Sequence, residues 1–179
     1  MLKIITFAIA AALTVPLFAY GETDSHAAST SVYYGRFKLT IPTSSLAGAK
    51  ILSVDGPVIK FSDSMTLAGT NATRDLLELP VDFNLALYPR YVLGLKSTAS
   101  LPEDLRRSLE GTLRSFGIPQ DAEIVEIRHG EGTVYSACAY PSCLFLATQH
   151  APNEHLLMLF PEGFTREEIQ SFLGVSDAE

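Results

Sequence analysis

The second half of the chain has the clearest pattern of apolar and polar positions. Five apolar residues recur at helical spacing and predict one amphipathic helix: Leu101, Leu105, Leu109, Leu113 and Phe116. Ser100 and Glu103 have the spacing of a capping box, and Gly117 suits the helix end. The acid-before-base pairs Glu103/Arg107 and Glu110/Arg114 lie four residues apart. That spacing indicates a paired, solvated polar face rather than an anion site.

Four strand-like runs follow this helix. They span residues 123–129, 133–138, 143–150 and 155–160. The connections are short enough for hairpins, so the runs predict an antiparallel meander. The cross-strand neighbours predicted by counting outward from each loop are Ile127–Tyr135, Tyr135–Leu146 and Leu146–Leu159, with Val125, Ala137 and Leu144 on the same face.

A second helix is predicted near the end of the chain. Thr165 and Glu168 have capping-box spacing, and Phe164 and Ile169 have the spacing of a hydrophobic staple. Gly174 is suited to end this helix. The simplest packing places both helices on the apolar face of the sheet.

The first half is less regular. Residues 31–41 alternate and predict a strand, and 51–61 predict two short strands around the Asp-Gly-Pro turn at 55–57. Residues 82–93 look extended with a break near Pro89, and residues 73–79 suit one or two helical turns. We interpret these strands as additions to the same sheet.

The elements together predict an α+β fold: a four-stranded C-terminal meander plus N-terminal strands, with two main helices on one face of the antiparallel sheet. The predicted organisation is a signal peptide at 1–21, a flexible polar tether at 22–31, one domain at 32–175 and a disordered tail at 176–179. One domain is the ordinary expectation for this length.

The first 21 residues have the layout of a secretory signal peptide. Lys3 precedes an apolar run from Ile4 to Tyr20, and small residues stand at the first and third positions of Ala19-Tyr20-Gly21. The alternative is an uncleaved membrane anchor. Its helix would be about 25 Å long against a hydrocarbon core of roughly 30 Å, and Pro16 interrupts it. We therefore expect a periplasmic or secreted protein, with membrane contact only if the leader is retained.

Composition and charge narrow the functional classes. Apolar residues make up 47% of the chain and charged residues 18%, which is typical of a globular protein. The formal net charge is −7 and no basic stripe offsets it, so nucleic-acid binding is not expected.

Cys138 and Cys143 are predicted to form a structural disulfide. They flank Ala139-Tyr140-Pro141-Ser142 between two strand-like runs and would face each other across a hairpin. Opposed residues in such a pair have Cα atoms about 4.5–5.5 Å apart, which a disulfide tolerates. Free buried thiols are the alternative, and the spacing does not match the redox motif Cys-x-x-Cys.

Tyr140 and Pro141, at the apex of this loop, are candidate partner-binding residues. A constrained loop loses little entropy on docking, and tyrosine is enriched among interface hot spots. The alternative is a tight turn whose tyrosine folds back onto the sheet.

His150, Glu154 and His155 are candidate metal ligands. The two histidines flank a predicted turn, which would bring them together with Glu154 beside them. The spacing departs from zinc-protease signatures, and a solvated hairpin tip is the alternative.

No sequence motif identifies a catalytic site or a bound cofactor, and we predict neither. The leading hypothesis is an exported, soluble binding or accessory protein that acts through an envelope protein partner without catalysis. The alternative is a small metal-dependent hydrolase or metal-binding protein that uses the three candidate ligands. A small-ligand pocket between helices and sheet is a third possibility.

Overall fold

The computed structural model describes residues 28–53, 57–129, 132–149 and 153–175. The strands are β1 Ser29–Tyr34, β2 Phe37–Pro42, β3 Lys50–Ser53, β4 Pro57–Lys60, β5 Thr66–Ala72, β6 Glu123–His129, β7 Gly132–Ala139, β8 Ser142–Gln149 and β9 Leu156–Glu162. The helices are α1 Tyr88–Val92, α2 Glu103–Ser115 and α3 Arg166–Phe172, with short 3-10 turns at Thr43–Leu46 and Leu85–Leu87. The predicted α+β class is confirmed.

Seven strands form one antiparallel sheet in the order β3-β4-β5-β9-β8-β7-β6. Strands β6 to β9 follow one another through hairpins, and β5 pairs with β9 to join the N-terminal strands to them. Strands β1 and β2 form a separate two-stranded sheet.

Both faces of the large sheet are covered. On β8, Phe145 and Ala147 belong to a core cluster that contains β1, β2 and α3 residues. Leu144 and Leu146 belong to a second cluster that contains α1 and α2 residues. Since successive side chains on a strand point to opposite faces, α2 and α3 pack on opposite sides of the sheet.

The prediction that both main helices cover one face is therefore wrong. The apolar residues 143–147 of β8 are buried without interruption. Such a continuous buried run is typical of a strand that is covered on both faces. Each helix has an apolar stripe that buries equally well on either side. The face that a helix covers depends on the path of the connecting chain, and local sequence patterns do not predict that path.

The register of the meander differs from prediction by one residue at two places. Tyr135 pairs with Leu146 as expected, but Ile127 lies opposite Val134 and Leu146 lies opposite Met158. The first connection is two residues long, because His129 pairs with Gly132. A one-residue shift moves a side chain to the other face. Ile127 accordingly packs in the α3-side cluster, while Tyr135 lies in the α2-side cluster.

Residues 31–41 form most of a hairpin instead of one strand. Gly35, with φ of 61°, turns the chain between β1 and β2, a conformation that glycine adopts without strain. The hairpin packs over β5, where a Cβ at Gly69 would come within 2.7 Å of the Tyr34 ring. This hairpin therefore forms a second layer and does not extend the sheet.

Two other N-terminal predictions need correction. Residues 82–93, expected to be extended, contain the Leu85–Leu87 turn and α1, whose first turn includes Pro89. Proline is suited to a helix start as well as to a bend, which explains the error. Strand β1 begins at Ser29, so residues 29–31 are paired and are not part of a tether. The leader 1–21, the rest of the tether through residue 27 and the tail 176–179 lie outside the described residues.

Of the two predicted capping boxes, the one on α3 is present and the one on α2 is not. The Thr165 side chain accepts from the Glu168 backbone N–H and Glu168 reaches back to Thr165 N, which confirms the predicted capping box on α3. Helix α2 begins after Pro102 without a side-chain cap, so the predicted capping box of Ser100 and Glu103 is wrong.

No helix within the described ranges combines the length and apolar character needed to cross a bilayer.

Candidate functional site

The tip of the β7–β8 hairpin is closed by the predicted disulfide. Cys138 lies directly opposite Cys143, and their sulfur atoms are bonded with Cα atoms 4.2 Å apart. Ala139 pairs with Ser142, so only Tyr140 and Pro141 form the turn, and the peptide bond between them is cis. The disulfide prediction is confirmed, although the turn has two residues and not four.

Tyr140 projects from a buried base into solvent. Its exposed fraction is 80%, whereas Cys143 is 7% exposed and packs in the α3-side cluster. Burial at the base holds the turn to the sheet, and the disulfide links the two strands just behind it. The ring does not fold back onto the sheet, which was the alternative conformation for this residue.

A charged pair lies beside the hairpin base. Glu123 is the cross-strand neighbour of Cys138, and its Oε2 lies 3.0 Å from Arg166 Nη1. Arg166 Nη2 also donates to the Glu123 carbonyl at 3.1 Å, which ties the start of α3 to β6. The hydrogen bond and the nearby positive charge of Arg166 lower the pKa of the Glu123 carboxyl. Glu123 therefore stays ionised at neutral pH next to the tip.

The predicted metal ligands are only partly described. His150 lies outside the described residues, and Glu154 is exposed. His155 Nδ1 lies 3.2 Å from Asn71 Nδ2, so one ring nitrogen already has a hydrogen-bond partner. Among residues 28–53, 57–129, 132–149 and 153–175, no three His, Cys, Asp or Glu side chains gather as a metal site. The three-ligand arrangement stays a prediction.

An unpredicted polar network holds the chain next to these residues. Arg74 donates from Nε to the Phe83 carbonyl at 2.7 Å and from Nη2 to the Asn153 carbonyl at 3.0 Å. Asn153 Nδ2 donates in turn to Asn84 Oδ1 at 2.7 Å. The partners are up to 79 residues apart in sequence. Neither spacing nor periodicity along the chain signals such a network, because its partners meet only in the folded protein.

Glu154 and His155 also line a shallow cavity of about 290 Å³ with Asp75 and Arg74. Asp75 and Glu154 contribute two carboxylates to this lining and Arg74 contributes one guanidinium, so the charged groups of the lining are net negative. The positive charge of Arg74 lowers the attraction of these carboxylates for a cation.

Comparison with known proteins finds no matching family model, no matching curated protein and no matching solved structure. The functional argument consequently rests on the chemistry and geometry of this chain.

Proposed function

We propose that the protein is an exported, non-catalytic binding or accessory protein that contacts a protein partner in the cell envelope through the β7–β8 hairpin tip. The observation that carries this proposal is the 80% exposure of Tyr140 on a disulfide-closed turn of two residues. Burying an exposed tyrosine ring contributes a large area at low cost in side-chain entropy. A turn already ordered by its disulfide adds little further entropy cost on binding.

Export is supported by two independent features. The disulfide is of the structural kind that persists in oxidising compartments such as the periplasm or the cell exterior. The first 21 residues have the composition of a cleavable signal peptide. We infer that the mature chain begins after Gly21 and works in the periplasm or outside the cell.

The test compares two exposed tyrosines. Tyr140→Ala removes the proposed anchor, and Tyr33→Ala removes a ring that is 62% exposed on β1 and serves as the matched control. Each variant is expressed with its leader, crosslinked in intact cells and recovered with its bound proteins. We expect Tyr140→Ala to lose a specific partner about tenfold or more, which is the scale of an interface hot spot.

Tyr33→Ala is expected to retain that partner at the wild-type level. Equal recovery of every envelope protein by wild type and Tyr140→Ala would overturn the proposal. Thermal unfolding of both variants checks that neither has lost its fold, since both side chains are largely exposed.

A further inference from the structure

A cavity of about 580 Å³ lies between α3, the end of β2 and the turn that joins β4 to β5. This volume falls in the range of sites that hold small organic molecules, roughly 300–1,000 Å³. It lies on the α3 side of the sheet, away from the α1 and α2 layer. None of the residues predicted to be functional lines it.

Three phenylalanine rings form the apolar wall of this cavity. The centroids of Phe61 and Phe164 are 5.1 Å apart with rings 81° from parallel, and those of Phe164 and Phe172 are 5.8 Å apart. Phe61 and Phe172 lie nearly parallel at 6.5 Å. Phe164 and Phe172 are buried and support Phe61, which is the partly exposed ring of the three, so the accessible aromatic surface of the cavity belongs mainly to Phe61.

The charged side chains of the lining are both negative, and its other polar side chains are neutral serines. Glu167 and Glu168 both border the cavity. The Glu168 carboxylate accepts a hydrogen bond from Thr165 N at 2.8 Å, and this bond is part of the N-terminal cap of α3. Glu167 is exposed and makes no ion pair within the described part of the chain, so its carboxylate is available to a ligand.

Positive side chains do not offset these carboxylates. No lysine or arginine is among the described residues that line the cavity. Lys60, which precedes Phe61, is paired with Asp63 at 2.7 Å. An organic anion would therefore meet an uncompensated carboxylate here.

We propose that this cavity binds a small organic monocation with an aromatic or alkyl body, of the aralkyl-ammonium class. Aromatic faces attract an ammonium group through their quadrupole, and a carboxylate at the rim adds an ion pair. The apolar body of the ligand would bury against Phe61, Phe172 and Met65. The net charge of −7 favours the approach of cations to the protein as a whole. This inference does not depend on the proposed protein partner.

The test uses three probes with the same skeleton and different charge: 3-phenylpropylammonium, 3-phenylpropanol and 3-phenylpropanoate. Binding is followed from backbone amide chemical shifts of the ¹⁵N-labelled protein at low salt. We expect saturable shifts in α3 and in the turn between β4 and β5. The ammonium probe should bind at least about fivefold more tightly than the alcohol, the scale of an ion pair combined with a cation–π contact, and the carboxylate should bind most weakly.

Glu167→Gln removes the rim charge without changing the size of the side chain. It should weaken binding of the ammonium probe about two- to fivefold and leave the alcohol unchanged. The control is Glu103→Gln, which makes the same change of charge in the first turn of α2 on the other side of the sheet. It should leave all three affinities unchanged.

Phe61→Leu keeps an apolar side chain but removes the aromatic face. It should reduce the preference for ammonium over alcohol, and thermal unfolding verifies that the variant is folded. Equal affinity for the three probes would overturn the proposal. So would shifts outside the cavity, or the absence of saturable shifts at millimolar probe.

Discussion

Tyr34 is a tyrosine whose ring and hydroxyl group are both buried in the fold. Its exposed fraction is 1%, and its hydroxyl oxygen is buried with no hydrogen-bond partner among the described residues. Burial raises the pKa of the Tyr34 hydroxyl to about 12. The ring fits because Gly69 on β5 has no side chain and leaves space for it. Tyr34 and Gly69, which pack together here, are 35 positions apart in the sequence. The apolar contact therefore stabilises the fold at the cost of an unsatisfied polar atom.

Tyr34→Phe should raise the free energy of unfolding by about 1 kcal/mol at neutral pH, because it removes the buried, unpaired hydroxyl and keeps the ring. Urea unfolding at constant slope measures the change. The pH dependence provides a second readout. Folding favours the protonated Tyr34 hydroxyl, so the free energy of unfolding of the wild type keeps its full value below the ordinary pKa of 10.0 and decreases as the pH rises toward about 12.

The wild type should therefore lose stability above pH 10 more steeply than Tyr34→Phe. Tyr33→Phe, at the neighbouring exposed position, is the control and should change neither quantity. A destabilised Tyr34→Phe variant would show that the hydroxyl is paired in solution.

Among single residues, the sequence was most informative where partners are close along the chain. The pairing of Cys138 with Cys143 and the cap between Thr165 and Glu168 depend on a few intervening residues, and both were predicted. The pair Glu103 and Arg107 also forms, at 2.7 Å. Glu110, in contrast, accepts a hydrogen bond from Thr98 at 2.6 Å, a residue that local helix spacing does not place nearby.

At the scale of elements, the β7–β8 hairpin is held by its strand pairing and by one covalent link. Both strands are interior strands of the sheet, so their backbones are paired on both sides. The disulfide closes only the two-residue turn at the end of this pairing. It is therefore expected to order the tip more than to support the whole fold.

The double variant Cys138→Ser/Cys143→Ser should lower the free energy of unfolding by about 2 kcal/mol, the chain-entropy value for so small a loop. Its largest local effect should be faster amide hydrogen exchange at Ala139, Tyr140 and Ser142, with little change in the middle of β8. Denaturant unfolding and hydrogen exchange measure the two effects. The reduced wild-type protein is the control, and it should behave as the double variant does. Exchange that rises uniformly along β7 and β8 would contradict this local role.

At the scale of the whole molecule, the α+β class was predictable and the arrangement of layers was not. The meander and both main helices have strong periodic signals within single segments. The N-terminal hairpin and α1 contain glycine and proline positions that suit several conformations. The conformation of the hairpin depends on its packing against β5, and that of α1 depends on its packing with α2.

Export is tested on the intact chain. We expect the full-length protein, expressed with its leader and recovered from the periplasm or medium, to lack its first 21 residues. Without reductant, Cys138 and Cys143 should resist alkylation because they are bonded. Intact mass spectrometry with and without an alkylating reagent measures both. Reduced and denatured protein, which should take up two alkyl groups, is the control. A retained leader together with two free thiols would contradict the compartment inferred here.

Sequence patterns were sufficient for the features whose interactions are local: the amphipathic helix with apolar positions from Leu101 to Phe116, the capping box of α3, the hairpin disulfide and the acidic net charge. These depend on neighbours within about one helical turn or one hairpin, where spacing specifies geometry. Packing between distant segments sets the face that each helix covers and the position of the β1–β2 hairpin, and it brings three phenylalanines to one cavity. Those outcomes depend on contacts between segments far apart along the chain, because an apolar stripe specifies burial without specifying its partner.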